Sequence, residues 1–282
     1  MHTLIHACQA LAREDRALPF ALYSAVHAQH LRNVTIAKPL LVVVLSGSKA
    51  LGYAEPLTCR AGDFALLANN ATLSVRNLPE AGDYLALLIE FEFADFAPPT
   101  PHQPAPALPS VPSQSSPAPR YVHGTVEPLL HTALLQFVQW SACAPAALWP
   151  LRRQELLQLL AVSGYPAVSQ LCLPPSLSQR VYAVLGAEPR QTPDAATLAA
   201  QLAMSEATLR RRLSAEGTNL QTLKDNAKLS RALHLLQTGF APIGQIAEQC
   251  GYHSQSRFTE KFKQHFGLTP TALRRTRLRE TG

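Results

Sequence analysis

The sequence predicts a multi-domain α+β protein: a small antiparallel β-barrel with an attached helical segment, followed by an all-α domain built from two helix-turn-helix motifs. Three observations carry this prediction. From Val34 to Phe93 short β-rich runs (VTIA, LLVVVLSG, KALGYA, PLTCR, DFALLA, TLSVRN, YLALLIEFEF) alternate with turn residues and contain no helical period. From Leu177 onward the apolar spacing is helical throughout, broken twice by tight turns. Charge is divided: residues 174 to 282 hold 15 Lys/Arg against 8 Asp/Glu, a balance of +7, whereas residues 1 to 173 hold 10 against 11, a balance of −1. A basic domain joined to a near-neutral one is the pattern expected when only one of them meets a polyanion.

Residues 1 to 32 carry a possible helix at Ile5 to Arg13 and a mixed stretch from Phe20 to His30. In the strand region, Ser46-Gly47, Ala61-Gly62-Asp63, Asn69-Asn70 and Pro79 to Gly82 mark turns. Together, residues 1 to 97 form the expected β sensor domain. Nine prolines in the 22 residues from Pro98 to Pro119 predict an extended spacer. Residues 120 to 173 hold two amphipathic helices, Val126 to Gln139 and Pro150 to Ala161, whose apolar stripes suit either packing on the barrel or pairing with a second copy. Ser163 to Pro175 reads as the interdomain linker.

In the C-terminal domain, 174 to 282, Leu177 to Leu185 starts the fold, and Thr192 is expected to cap a helix over Asp194 to Ala203 with Pro193 in its first turn. Ser205 then caps Glu206 to Ala215, placing Leu209 and Leu213 inward and Ala207 and Arg211 outward, flanked by Arg210 and Arg212. Leu220 to Gln237 reads as one helix of about 27 Å. Ile243, Ile246 and Ala247 give a short helix that Gly251 ends, and Ser254 caps the next. In that last helix Phe258, Phe262 and Phe266 share one face, opposite Ser256, Glu260, Lys263 and Gln264. A helix held proud of the surface in this way fits a major groove about 12 Å wide.

Ile243, Ile246, Ala247, Gly251, Tyr252, Ser254, Phe258, Phe262, Lys263, Gly267 and Pro270 match the signature of AraC/XylS-type transcription regulators, and the domain resembles theirs. KPLLVVVLSGSKAL followed by AGDFALLANNATLSV resembles the cupin-like N-terminal domain of the same family. The resemblance implies a sequence-specific regulator, more often an activator, that binds double-stranded promoter DNA. It further implies a homodimer through the helical region, RNA polymerase as a partner, and a small-molecule or protein effector at the N-terminal domain. Carried over position by position, Ala207, Arg210 and Arg211 stand where relatives touch bases, and Arg212 is placed for phosphate. In the second unit Gln255, Ser256, Arg257 and Glu260 take the base-facing positions and Lys263 a phosphate position. Arginine suits guanine because its fork pairs with O6 and N7 together, and Glu260 suits cytosine N4 or an ion pair with Arg257.

Other function classes find little support. Val34 to Phe93 contains no histidine, so a metal-dependent cupin enzyme is disfavoured. A DNA-repair enzyme fused to the same DNA reader would need a cysteine-rich zinc site, yet Cys8, Cys59, Cys143, Cys172 and Cys250 are scattered and each is expected as a small buried hydrophobe. Ser46 and Lys49 fit Ser-x-x-Lys in form alone. No catalytic residue, metal or cofactor is expected. With apolar runs too short for a bilayer, the sequence predicts a soluble cytoplasmic protein.

Overall fold

The computed structural model describes residues 1–12, 16–52, 56–69, 71–80, 82–97, 120–171, 175–187 and 193–277. The Pro-rich stretch from Pro98 to Pro119 and the expected cap Thr192 lie outside the described residues.

Among the described residues, nine strands form two antiparallel sheets. The first five in sequence that build the frame are β1 (Ala21–Ala25), β2 (Gln29–Ile36), β3 (Leu40–Ser46), β4 (Ser48–Leu51) and β5 (Leu57–Arg60); β6 (Asp63–Leu67), β7 (Ala71–Leu78), β8 (Tyr84–Glu90) and β9 (Tyr121–Thr125) complete it. One sheet has the order β1-β8-β3-β6-β9 and the other β2-β7-β4-β5. The mixed stretch around Phe20 to His30 thus supplies one strand and the start of another. The sheet also takes β9 from beyond the Pro-rich stretch: Tyr121 to Thr125 pairs with β6 from Leu67 to Asp63. Five residues containing a glycine and a histidine carry too little apolar alternation to reveal a strand before its partner is known.

The unbroken apolar run of β3 follows from burial on both faces. Its Leu41, Val43 and Leu45 turn toward a helical layer, whereas Val42 and Val44 turn toward the second sheet. The helical layer is α1 (His2–Leu11), α2 (Pro128–Trp140) and α3 (Trp149–Val162). Its core combines Leu4 and Cys8 with Leu134, Phe137, Leu156 and Leu160 against Phe64, Leu87 and Ile89 of the sheet. The apolar stripes of α2 and α3 are therefore used inside the chain. A fork from Arg153 to Asp95, with Nε to Oδ2 at 2.5 Å and a second bond of 3.3 Å, fastens α3 to the turn after β8. The segment read as a linker also packs inward: Tyr165 stacks edge-on against Phe64, its ring centroid 5.1 Å away, and covers Gly124, where a Cβ would clash with the phenol oxygen.

The C-terminal region is α4 (Leu177–Ala187), α5 (Ala195–Gln201), α6 (Glu206–Ala215), α7 (Leu220–Thr238), α8 (Ile243–Gln249), α9 (Gln255–Phe266) and α10 (Pro270–Arg275). Helix α5 is capped by Asp194, whose carboxylate accepts from Thr197 N at 2.8 Å, so the cap falls two residues after Thr192. Aspartate satisfies the free amide as well as threonine does and adds a favourable charge at the positive helix end.

The two helix-turn-helix units sit differently. The first, α5 and α6 with α4, owns a separate core of Leu177, Val181, Leu185, Leu198, Leu209, Leu213 and Leu223. Ile246, Phe258, Phe262, Phe266 and Leu273 of the second, together with Leu229, Leu233 and Leu236 of α7, join one continuous core with the interior of the barrel. Helix α7 passes from one core to the other.

Candidate nucleic-acid interface

Helices α6 and α9 each follow a tight turn that ends in a serine cap. Ser205 accepts from Thr208 N at 3.2 Å and Ser254 from Arg257 N at 3.4 Å. The turns share a left-handed residue followed by a bond back to the preceding helix. Ala203 has φ 54 and Met204 N reaches Ala199 O at 2.9 Å; Gly251 has φ 74 and Tyr252 N reaches Ala247 O at 2.9 Å. Only the second turn uses glycine, the residue that adopts this conformation without strain.

On α6, Leu209 and Leu213 are fully buried, and Ala207, Arg210, Arg211 and Arg212 are all exposed. Arg210 reaches back to Glu206 at 3.3 Å, one helical turn away, whereas Arg211 and Arg212 make no ion pair among the described residues. On α9 the three phenylalanines are fully buried and stacked, with centroids 5.6 Å and 4.7 Å apart in succession. The opposite surface presents Gln255, Ser256, Arg257, Glu260 and Lys263, all exposed. Glu260 makes no ion pair with Arg257, and no other ion pair, among the described residues. Gln255 is the exception to an outward reading, because its side-chain oxygen lies across Gly244 of α8, where a Cβ would come within 2.9 Å. Lys261 approaches Asp225 of α7 at 3.8 Å and braces α9 instead of reaching outward.

Further residues, not singled out from the sequence, hold these helices in place. Glu216 closes α6 by accepting from Leu177 N and Ser178 N, both at 2.9 Å, which caps α4. Burial raises its carboxyl, but the hydrogen bonds from Ser178, Leu177 and Ser176 outweigh that and hold it below the usual range. Arg277 donates to the carbonyls of Leu236 and Gly239 at 2.5 and 2.9 Å and lies over the Phe240 ring, closing the C-terminus of α7. Asn33, at a bulge in β2 with φ 53, exchanges bonds with His265 of α9: Nδ2 donates to His265 O at 2.9 Å, and His265 Nε2 lies 3.1 Å from Asn33 O. These long-range partners leave no local pattern in the sequence.

Between the barrel and α7 lies a cavity of about 940 Å³. Its wall is largely aliphatic, with Leu31, Val42, Leu51, Val75 and Leu88 from the barrel and Leu233 from α7. Polar and charged groups stand among them, including Lys38, Lys49, Asn77, Glu90, Glu92, Arg231, His234 and Gln237. Of the cysteines, Cys8, Cys59 and Cys250 are buried free thiols, but Cys143 is exposed, since it lies in the turn after α2; Cys172 lies outside the described residues. Burial pushes the Cys59 and Cys250 thiols up to about 11. No helix among the described residues is long and apolar enough to cross a membrane.

A helix-turn-helix domain family model matches residues 198–276. Transcriptional regulator SirC of Salmonella typhimurium is 34% identical over 98 residues, 35% of this chain and 33% of its own length. HTH-type transcriptional regulator GadX of Escherichia coli is 34% identical over 99 residues, 35% and 36% of the two chains. HTH-type transcriptional regulator VqsM of Pseudomonas aeruginosa is 35% identical over 98 residues, 35% and 30%. The chain thus spans about a third of the length of these curated relatives. ToxT of Vibrio cholerae, solved with an unsaturated fatty acid bound, aligns over 94% of this chain and 97% of its own with a TM-score of 0.61 at 14% identity. An apo variant of ToxT with a single substitution aligns over 94% and 100% with a TM-score of 0.64 at 15% identity. The two-part architecture of an N-terminal β domain and a C-terminal helical reader is therefore a known arrangement. Over residues 198–276 this chain therefore carries a helix-turn-helix domain similar to those of curated transcriptional regulators.

Proposed function

We propose that the whole chain is a sequence-specific transcription regulator that reads promoter DNA with α6 and α9 and is governed by a small, largely apolar molecule held in the cavity beside α7. The observation that carries this reading is the pair of serine-capped helices, each anchored by a buried apolar face and each offering an exposed polar one. Helix α7 joins them, and its 19 residues span about 28 Å, close to the roughly 34 Å between successive turns of one major groove. A site of about 20 base pairs follows.

Within that site Ala207, Arg210, Arg211, Ser256, Arg257 and Glu260 read bases, and Arg212 and Lys263 contact phosphate; Gln255 reaches a base by leaving its seat on Gly244. The effector reading is supported by the cavity and by its like-folded neighbour ToxT, which binds an unsaturated fatty acid. Dimerisation would use the outer faces of α2 and α3, where Leu129, Leu151 and Val162 are 60%, 60% and 72% exposed. The protein acts as a cytoplasmic activator in contact with RNA polymerase and carries out no catalysis. Residues 174 to 282 are the DNA-reading unit, 120 to 173 the dimerisation region and 1 to 97 the sensor.

The test is selection of fragmented genomic DNA on the full-length protein at low and near-physiological salt, followed by sequencing. A shared motif of about 20 base pairs retained at the higher salt is the expected result. Enrichment without a motif, lost as salt rises, would reduce the interaction to electrostatic contact.

A further inference from the structure

Strand β2 is interrupted at one point, and the interruption lies against the end of a reading helix. Leu31 pairs with Val75 and Val34 with Leu73, so Arg32 and Asn33 form a bulge between them, with Asn33 at φ 53. A bulge re-aims the side chains it carries. Asn33 engages the backbone of α9, donating to His265 O in the last turn at 2.9 Å. Arg32 lies over Gly267, the residue that ends α9, with Cδ and Nε 3.5 and 3.6 Å from where a Cβ would stand. At about 100° per residue, Ser256, Glu260, Lys263 and Gly267 share one face. The outward stripe of α9 therefore ends beneath an arginine of the barrel.

Arg32 has cationic neighbours. His30 of β2 lies opposite Arg76 of β7, and because the adjacent Leu31 and Val75 enter the core, strand alternation sends His30 and Arg76 to the outer face of the sheet. Arg32 and His30 are exposed and Arg76 is half-buried. None of the three makes an ion pair among the described residues. Glu80, the carboxylate that follows β7, accepts from Ser48. The balance of −1 over residues 1 to 173 does not display this row, because a total records no positions.

The reach of α9 says what the row meets. Its 12 residues span about 18 Å, longer than the roughly 12 Å width of the major groove. A recognition helix reads bases with its first turns, so the last turn of α9 comes to the phosphate rim. An arginine beside a helix C-terminus also offsets the negative end of the helix dipole, so Arg32 steadies α9 without DNA. Its guanidinium fork, with five donors, suits a phosphate as well.

We propose that the β2 bulge makes the barrel part of the DNA interface: Arg32, backed by Arg76, takes phosphates of the same duplex beyond the last turn of α9. This rests on the reading of α9 as a DNA-reading helix. The contact exists only while β2 is docked on α9, so affinity for DNA reports that docking.

The experiment measures binding of the full-length protein to a labelled random-sequence duplex of about 30 base pairs by fluorescence anisotropy, from about 50 to about 200 mM salt. Each phosphate contact adds about 0.9 to the slope of log affinity against log salt. Arg32→Gln should lower the slope by about 0.9 and the double variant with Arg76→Gln by about 1.8, whereas Arg32→Lys, which keeps the charge, should retain it. Arg120→Gln removes the same charge next to β9, at the edge of the other sheet, and should leave the slope unchanged. Thermal melts separate the helix cap from the contact. An Arg32→Gln protein that melts lower and binds more weakly at every salt, with the slope of wild type, would make Arg32 a cap alone and overturn the proposal. An equal fall in slope for Arg120→Gln would leave only the general field of the protein and overturn it too. If Arg212→Ala and Lys263→Ala lower the slope and Arg32→Gln does not, DNA reading by α6 and α9 stands and this inference falls. Absence of binding by wild type at the lowest salt would remove both.

Discussion

The division of buried residues into cores makes a sharp prediction for two substitutions of identical chemistry, Leu213→Ala and Leu236→Ala. Both leucines are fully buried on helices of the C-terminal region, so each loses the same apolar surface. Truncation at such a site costs about 2–5 kcal/mol from lost transfer energy and the cavity left behind. Leu213 belongs to the separate core of the first unit, whereas Leu236 belongs to the core that the second unit shares with the barrel. A loss of about 3 kcal/mol raises the population of the corresponding open state about 100-fold, at tenfold per 1.4 kcal/mol. Native-state amide exchange resolves where that opening occurs. Leu213→Ala should speed exchange over α4, α5 and α6 and leave β1, β2 and α9 near their original rates. Leu236→Ala should speed exchange in β1, β2, α8 and α9 together. If Leu236→Ala loosens α8 and α9 while β1 and β2 keep their protection, the two halves are separable and the shared core is refuted.

The remaining predictions are local. Ala203→Gly should stabilise the first unit by about 1 kcal/mol, because an alanine Cβ is strained at φ 54 where the second unit has glycine; a lower melting temperature would contradict this. Arg211→Ala and Arg257→Ala should each weaken cognate DNA binding by about 1–3 kcal/mol, whereas Lys263→Ala should weaken cognate and random duplexes equally in titrations at fixed salt; uniform losses from all three would undo the base assignments. The Glu216 carboxyl is held below its unfolded value, so its stabilisation is present above the ordinary glutamate range and is lost as pH falls through the folded value. Thermal melts should show Glu216→Gln destabilising near neutrality and flattening the acid limb below about pH 4.5, and an unchanged acid limb would mean the α4 cap contributes nothing.

The helix-turn-helix units were legible in the sequence because their signals are local. A serine cap lies one residue from the helix it starts, a glycine at the turn declares its backbone, and the spacing of Phe258, Phe262 and Phe266 displays the buried face. The strand region was legible for the same reason, through short apolar runs between turns. The C-terminal third shares its helix-turn-helix sequence with curated transcriptional regulators, as the resemblance implied. The expected cap at Thr192 missed by two residues because Thr, Pro and Asp in succession all carry N-terminal helix signals, and only the backbone decides which of them turns. Cys143 was expected inside, yet a lone cysteine carries no directional signal of its own.

The sequence by itself determined most of the elements, their amphipathic faces and, Gln255 apart, the residues that α6 and α9 present outward, since period and capping are properties of neighbouring residues. Tertiary structure alone decided which surface each apolar face meets. It turned the stripes of α2 and α3 onto the barrel, brought β9 across the Pro-rich stretch to β6, and fused the second reading unit, but not the first, to the barrel's core. It also aligned Lys49, Asn77, Gln29 and Gln237, residues up to 208 positions apart, into one row of hydrogen bonds. An apolar stripe specifies that it must be buried without naming its partner, and a polar side chain in a strand gives no sign of its cross-strand neighbours. Both choices are made by strand register and core packing, which join positions far apart in the chain.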